Sequence, residues 1–252
     1  MSTPHVLGTL AATALLCFVL LSGRILLQLG RMGHRTAVSI AGGAAVAYVF
    51  LDLLPDVHAA AGAFRDATSH LGVRLLHGGV YLATMAGFLF FYGLEELVIR
   101  SQGEEERRRR REAGKPHRLF RIHLAAFSAY AWLVGYLLVR SPEQAAVQLS
   151  FYAIAMALHF LSVAHALRDE HDGLYDRIGA GVLAAGCAAG WACGIAIGFS
   201  DAMVGILLGA VAGGVIANTV ISELPREKQG RFAPFLAGAA IYTGLLMVAD
   251  RA

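Results

Sequence analysis

Long apolar runs separated by short polar segments are the dominant pattern of this sequence. Each run approaches the length of about 20 residues that an α-helix needs to cross the hydrocarbon core of a bilayer. We therefore predict an all-α, polytopic membrane protein in which residues 1–252 form a single domain of eight transmembrane helices. The eight runs cover residues 6–29, 36–54, 75–99, 122–139, 145–167, 178–199, 203–221 and 232–248.

The composition supports a membrane protein. Of the 252 residues, 57% are hydrophobic and only 15% are charged, whereas a soluble domain has about 25% charged residues. This apolar composition indicates that the lipid bilayer is the partner. The net charge of +3 gives no reason to expect a nucleic-acid partner. Cys17, Cys187 and Cys193 lie in apolar runs without CxxC spacing, so we expect neither disulfides nor a thiolate metal site.

The Lys and Arg residues predict the orientation, because they concentrate in cytoplasmic loops. With the N-terminus outside, 17 of the 21 Lys and Arg residues fall on the inner side. We expect both termini outside, the first run retained rather than cleaved, and the protein integral to the inner or plasma membrane. The charged segment 101–117 would then be a cytoplasmic loop. A solvated linker is the preferred interpretation of this loop, and a lipid- or regulator-binding segment is the alternative.

Glycines recur at every fourth position in the sixth and seventh predicted helices. Such ridges let helix backbones approach closely, which is how helices associate in lipid. We expect a structural role for them. They also fit a transporter in which two rigid helix groups move against each other, and they leave room for a symmetric homodimer. The ridges consist of Gly186, Gly190, Gly194 and Gly198, and of Gly205, Gly209 and Gly213.

Three helix ends resemble those of the ZIP family of divalent-metal transporters. The second run ends in Asp52-Leu-Leu-Pro-Asp56, the third closes on Glu95 before a charged loop, and the glycine-rich seventh ends in Glu223-Leu-Pro. Eight spans and outward termini are also features of the family. The resemblance implies a ZIP-like bundle that moves a divalent cation, zinc first, toward the cytoplasm. The sequence has no Walker motif, so ATP would not drive this movement.

The resemblance also implies a metal site midway through the membrane. Family members carry His-x-x-x-Glu/Asp on the fourth helix and His-Glu-x-x-Glu/His on the fifth. Residues four apart share a helix face, and carboxylates there neutralise the cation in a low-dielectric interior. His123 and His159 match these patterns, whereas Phe127 and Val163 stand where the family has carboxylates. The chain is therefore expected to have a depleted site built on the two histidines.

Two further groups are candidate metal ligands at the predicted ends of the pathway. His165, Asp169 and Asp172 are spaced i, i+4 and i+7 at the inner end of the fifth helix, where they would receive the ion. The alternative for this group is a solvated helix end paired with Arg168 and Arg177.

The other group lies near the outer face and contains Asp52, Asp56 and His58. The family resemblance implies that it collects cations. Otherwise Asp56 and His58 are interfacial residues, whereas Asp52, a turn deeper, needs a partner or water. Glu95, Glu96 and Glu223 are expected to anchor or cap helices rather than to bind metal.

Other functional classes remain open. A divergent relative that transports no metal would act as a scaffold, a sensor or a carrier of a less charged solute, and the lost carboxylates favour this. An intramembrane zinc enzyme is disfavoured, because His159 and His165 lie about 240° apart around a helix and do not converge. We therefore expect no enzymatic activity and no cofactor, with Zn²⁺ entering only as the transported ion.

Overall fold

The predicted apolar runs form helices in the computed structural model of the chain, which describes residues 3–29, 34–69, 78–109, 117–140, 146–170, 174–223 and 232–249. These ranges contain no β-strand. Seven of their helical segments are long and apolar enough to cross a membrane, and Phe232–Val248 is a shorter apolar helix. The predicted all-α, polytopic class is confirmed.

The elements follow one another as nine α-helices and three π-helical turns within the described ranges. The helices are α1 (Thr3–Leu29), α2 (His34–Tyr48), α3 (Leu54–Thr68), α4 (Gly79–Arg109), α5 (His117–Arg140), α6 (Ala146–Glu170), α7 (Ala180–Ala196), α8 (Asp201–Asn218) and α9 (Phe232–Ala249). The π-helical turns are Val49–Leu53, Tyr175–Gly179 and Thr219–Glu223.

The second apolar run continues much further than its pattern predicted. A single span of 30 residues covers Ser39–Thr68, although Pro55 lies inside it. The turn just before this proline is π-helical, with the Val49 carbonyl accepting from the Leu54 amide. We infer that the wider turn accommodates the proline, which cannot make the usual helical hydrogen bond. Asp56 and His58 are therefore inside a long helical segment, not at its outer end as expected.

The charged segment 101–117 is not entirely a loop. Residues 101–109 continue α4, and His117 already begins α5. Residues 110–116 lie outside the described part of the chain. The sequence explains the continuation, because Glu104 and Glu105 precede Arg108 and Arg109 by four positions. Glu-to-Arg pairs at this spacing favour a helix.

The helices associate in two groups. One group contains α1, α5, α6 and α7, with α5 packed along α7 and α1 against α6 and α7. The other contains α2, α3, α4, α8 and α9, with α4 packed along α8 and α2 along α9. We call the boundary between the groups the seam. Its main contacts join α2 to α6 and α5 to α8.

Glycines make the closest helix contacts within each group, as predicted. A Cβ at Gly190 of α7 would overlap the Trp132 carbonyl of α5, and one at Gly213 of α8 would overlap the Thr84 carbonyl of α4. A homodimer stays a prediction, but it would need another surface because these ridges are covered within the chain. Two predicted ridge positions differ: Gly198 lies beyond the end of α7 at Ala196, and a Cβ at Gly205 would make only ordinary contacts, at 3.5 Å or more.

Large apolar side chains are exposed on the outside of the bundle. Phe18, Phe90 and Met247 are 54%, 57% and 61% exposed. Many other large apolar side chains are also exposed, and extensive exposed apolar surface is typical of sites that contact a membrane or another protein. This surface and the span lengths agree with a protein embedded in a membrane.

Candidate functional site

Asp52 lies near the middle of the span Ser39–Thr68, in the π-helical turn Val49–Leu53. Its carboxylate Oδ2 accepts a hydrogen bond of 3.0 Å from the Tyr242 hydroxyl on α9. A carboxylate inside a membrane bundle is costly unless another polar group contacts it. The partner that the sequence required for Asp52 is therefore a tyrosine from the last helix.

Tyrosines join the neighbourhood of Asp52 to the opposite helix group. The Tyr48 ring on α2 packs edge-to-face against Tyr152 on α6 and Tyr242 on α9, with centroid distances of 6.4 Å in both pairs. Tyr48 is 2% exposed, and its hydroxyl has no hydrogen-bond partner among the described residues. The Asp56 carboxylate is within electrostatic reach of this hydroxyl. Polar side chains therefore lie close to this tyrosine contact between the two groups.

His159 is buried near the middle of its span, Leu149–Arg168, with 2% of its surface exposed. Its imidazole contacts two aromatic rings, Tyr130 at 5.8 Å and Phe160 at 6.3 Å between centroids. Tyr130 also packs against Phe91 of the opposite helix group, at 5.4 Å between centroids. His159 thus lies beside a tyrosine that contacts both helix groups.

His123 is 1% exposed, but it lies near the start of its span, Phe120–Arg140, rather than midway. It lines a cavity of about 10 Å³, close to the space of one water molecule. Glu95 from α4 and Asn218 from α8 line the same cavity, and the remaining lining side chains are apolar. The structure thus brings His123 together with two polar residues from helices of the other group.

The two histidines have different neighbours in the described contacts. A chain of ring contacts connects them, from His123 to Phe127 at 6.0 Å, to Phe91 at 5.3 Å, to Tyr130 at 5.4 Å and to His159 at 5.8 Å. His123 and Tyr130 are seven residues apart, which is about 10 Å along a helix axis. The two histidines therefore lie at different heights in the bundle, and their joint action near mid-membrane stays a prediction.

The predicted entrance group is divided between two surroundings. Asp52 and Asp56 are half-buried, whereas His58 is exposed and its Nδ1 lies 2.8 Å from the Tyr81 hydroxyl on α4. His58 therefore does not join the two carboxylates in the described contacts.

The predicted exit group is described only in part. His165 is half-buried on α6, which runs to Glu170, so the backbone of Asp169 is helical as the spacing required. The Asp169 side chain and all of Asp172 lie outside the described residues. Arg168, a predicted partner of this helix end, pairs with Asp176 at 2.7 Å and lies over the Tyr175 ring.

Within the described residues, no group of three His, Cys, Asp or Glu side chains could hold a metal ion. Asn218 is not among the predicted ligands, and Glu95 is predicted to anchor a helix. The position of Asn218 inside an apolar run could have indicated an interhelical contact, because polar residues in membrane helices commonly make such contacts. Glu95, His123 and Asn218 are far apart in sequence, and only the packing brings them together.

No family model matches the chain, and no curated protein matches its sequence. The fold defines the class, a polytopic α-helical membrane protein with polar groups buried along the seam of two helix groups. The function has to be inferred from those groups.

Proposed function

We propose that this chain is a ZIP-like transporter that moves a divalent cation, most simply Zn²⁺, through the seam between its two helix groups. The observation that carries the proposal is a series of polar side chains on both sides of the seam, with aromatic ring contacts between them. Asp52 and Asp56 are half-buried one turn apart in the second span, His159 is buried against Tyr130 and Phe160, and His123 lines a cavity with Glu95. Movement toward the cytoplasm is what the family resemblance implies, and the sequence has no Walker motif through which ATP would drive it.

The charge along the seam is what a dication requires. The sequence suggested two histidines and one deep carboxylate, which is little negative charge for Zn²⁺ in a low-dielectric interior. The longer second span brings Asp56 into the bundle, and the cavity beside His123 adds Glu95. Three carboxylates thus accompany the two buried imidazoles. In this proposal the ion contacts them in succession rather than in one site.

The packing is compatible with a movement of the two helix groups against each other. Within the groups, close glycine contacts join α5 to α7, α4 to α8 and α2 to α9, whereas aromatic side chains make contacts between the groups. Two rigid units that shift against each other could expose the seam first to one side and then to the other. This is the type of transporter that the glycine ridges suggested.

Transport by the purified chain in proteoliposomes, with a zinc-sensitive dye inside, tests the proposal. We expect zinc uptake by the wild type and a fall of at least about tenfold in His159→Ala, because outer-shell groups at metal sites already alter affinity by that much. His58→Ala is the matched control, since it removes an exposed imidazole, and its uptake should stay near that of the wild type. Equal uptake by His159→Ala and wild type would contradict the role of His159.

The second candidate is a ZIP-like protein that carries a less charged solute, or acts as a sensor or scaffold. It is favoured by the aromatic surroundings of His159 and by the missing three-ligand group within the described residues. Under this candidate, Zn²⁺ would neither be retained by the purified protein nor raise its melting temperature. Elemental analysis and a thermal shift with and without Zn²⁺ distinguish the two candidates.

A further inference from the structure

We infer that Glu95, His123 and Asn218 form a binding site for a single divalent cation, Zn²⁺ in the simplest case. The inference rests on the proposed function and names a site for its cargo. The three side chains come from α4, α5 and α8 and line one small cavity. His123 and Asn218 are 1% and 8% exposed, so two of the three are almost fully buried.

The donor set suits the ion. A carboxylate oxygen, an imidazole nitrogen and an amide oxygen are three ligands of the types that zinc and related divalent cations accept. Zinc sites that exchange a ligand commonly have three protein ligands and one water. A cavity of about 10 Å³ has room for an object of the size of one water molecule. The single negative charge of Glu95 would partly neutralise the ion.

The apolar walls strengthen this site. Phe91 and Phe127 pack against each other with a centroid distance of 5.3 Å, and both line the cavity. Charges attract more strongly where such walls exclude water. A cation bound there would therefore interact strongly with the Glu95 carboxylate.

The position of the cavity fits a release step. Glu95, His123 and Asn218 lie within about one helical turn of the ends of their spans, at the end of the bundle where α4 connects to α5. Glu95 and Asn218 belong to one helix group, and His123 belongs to the other. A shift at the seam would separate the imidazole from the two oxygen ligands and weaken the hold on the ion.

A structural explanation makes different predictions. A buried water, or direct hydrogen bonds among the three side chains, would also satisfy polar groups in a cavity of this size. Such a network would form without Zn²⁺, and replacing Asn218 by a carboxylate would not increase the affinity of the protein for Zn²⁺. Affinity for the metal alone therefore separates the two explanations.

The test is Zn²⁺ binding to the purified full chain in detergent, measured by calorimetry and by zinc X-ray absorption. We expect one bound Zn²⁺ with a single imidazole and otherwise oxygen ligands. Glu95→Gln should weaken binding at least tenfold, and Asn218→Asp should tighten it severalfold by adding a charge. Glu96→Gln is the matched control, because this neighbouring glutamate does not line the cavity.

The outcomes separate the site from the transport function. Unchanged zinc binding in Glu95→Gln, or no gain in a folded Asn218→Asp, would overturn the site. If the wild type still transported zinc, the proposed function would stand without this site. If zinc bound as expected but uptake failed, the site would stand and the transport proposal would be wrong. No zinc binding and no uptake by the wild type would overturn both.

Discussion

The helix pairs inside each group and the seam between the groups are packed in different ways. Within the groups, Gly190 and Gly213 bring a helix backbone directly against a neighbouring carbonyl. At the seam, the contacts include rings from both groups, such as Tyr48 with Tyr152 and Phe91 with Tyr130. Backbones in such close contact allow little relative movement, whereas side chains can change rotamers as two surfaces shift.

The difference follows from the physical chemistry of a membrane bundle. Lipid tails solvate leucine as well as another helix does, so close van der Waals contact has to hold helices together. Polar groups cannot face lipid without a large cost and are kept inside. In this chain polar contacts occur inside a group, as between Trp191 and Thr9, and also between the groups, where His123 shares a cavity with Glu95 and Asn218. The close backbone contacts at glycines occur only within the groups among the described residues.

The largest effect should come from filling a glycine contact. In Gly190→Ala the new methyl would overlap the Trp132 carbonyl, so α5 and α7 would have to separate. We expect a loss of at least about 3 kcal/mol, the upper part of the range for overpacking, because backbone has to move. The measurements are the yield of monodisperse protein and the melting temperature in detergent.

Gly181→Ala is the control for this prediction. Gly181 is in the same helix, and a Cβ there would meet nothing within 4 Å. Replacing an exposed helical glycine by alanine stabilises a helix by roughly 0.5–1 kcal/mol. If both variants lost stability equally, close backbone packing would not be what holds α5 and α7 together.

The sequence predicted the class and the glycine contacts well, because both depend on local patterns. Apolar runs of the right length are visible in any window, and a glycine at every fourth position marks one helix face. The continuation of the second span through Pro55 was not predictable, because it depends on the π-helical turn before it. The cavity at His123 depends on three helices that only the tertiary packing brings together.

A substitution in the seam should cost less than one in a glycine contact. Tyr130 is buried and packs across the seam against Phe91, and within its own group against His159 and Phe160. Tyr130→Leu removes these ring pairs, each worth about 0.5–1.5 kcal/mol, but leaves an apolar side chain in their place. We expect a loss of about 2 kcal/mol with the bundle still folded, measured by thermal unfolding.

Tyr92→Leu is the control for the seam substitution. Tyr92 stacks on Phe88 at 6.0 Å between centroids but is 50% exposed. Its replacement should leave the melting temperature nearly unchanged. A loss in Tyr130→Leu as large as that in Gly190→Ala would show that the seam is as rigid as the groups.

A smaller effect is expected for the hydrogen bond between Tyr242 and Asp52. Tyr242→Phe keeps the ring contacts with Tyr48 and removes the hydroxyl that donates to the carboxylate over 3.0 Å. Hydrogen bonds to charged groups contribute about 1.5–3 kcal/mol in soluble proteins. Hydrogen bonds between membrane helices contribute about 0.6 kcal/mol on average. We therefore expect a loss of about 1 kcal/mol.

A double-mutant cycle with Asp52→Asn isolates this hydrogen bond from other effects of each substitution. The coupling energy should be close to the loss in Tyr242→Phe alone. Additive losses in the double variant would mean that the two side chains do not support each other.

The smallest effect is expected at the surface end of one helix group, where Arg168 pairs with Asp176. The two side chains are 12% and 34% exposed, and Arg168 also donates to the Ala164 carbonyl. Asp176→Asn removes the charge of one partner only, so we expect a loss below about 1 kcal/mol that shrinks as salt is added. Melting temperatures at low and high salt measure it. A salt-sensitive loss larger than that in Tyr242→Phe would contradict this order. It would mean that the group of α1, α5, α6 and α7 is held together by surface charge pairs as well as by glycine packing.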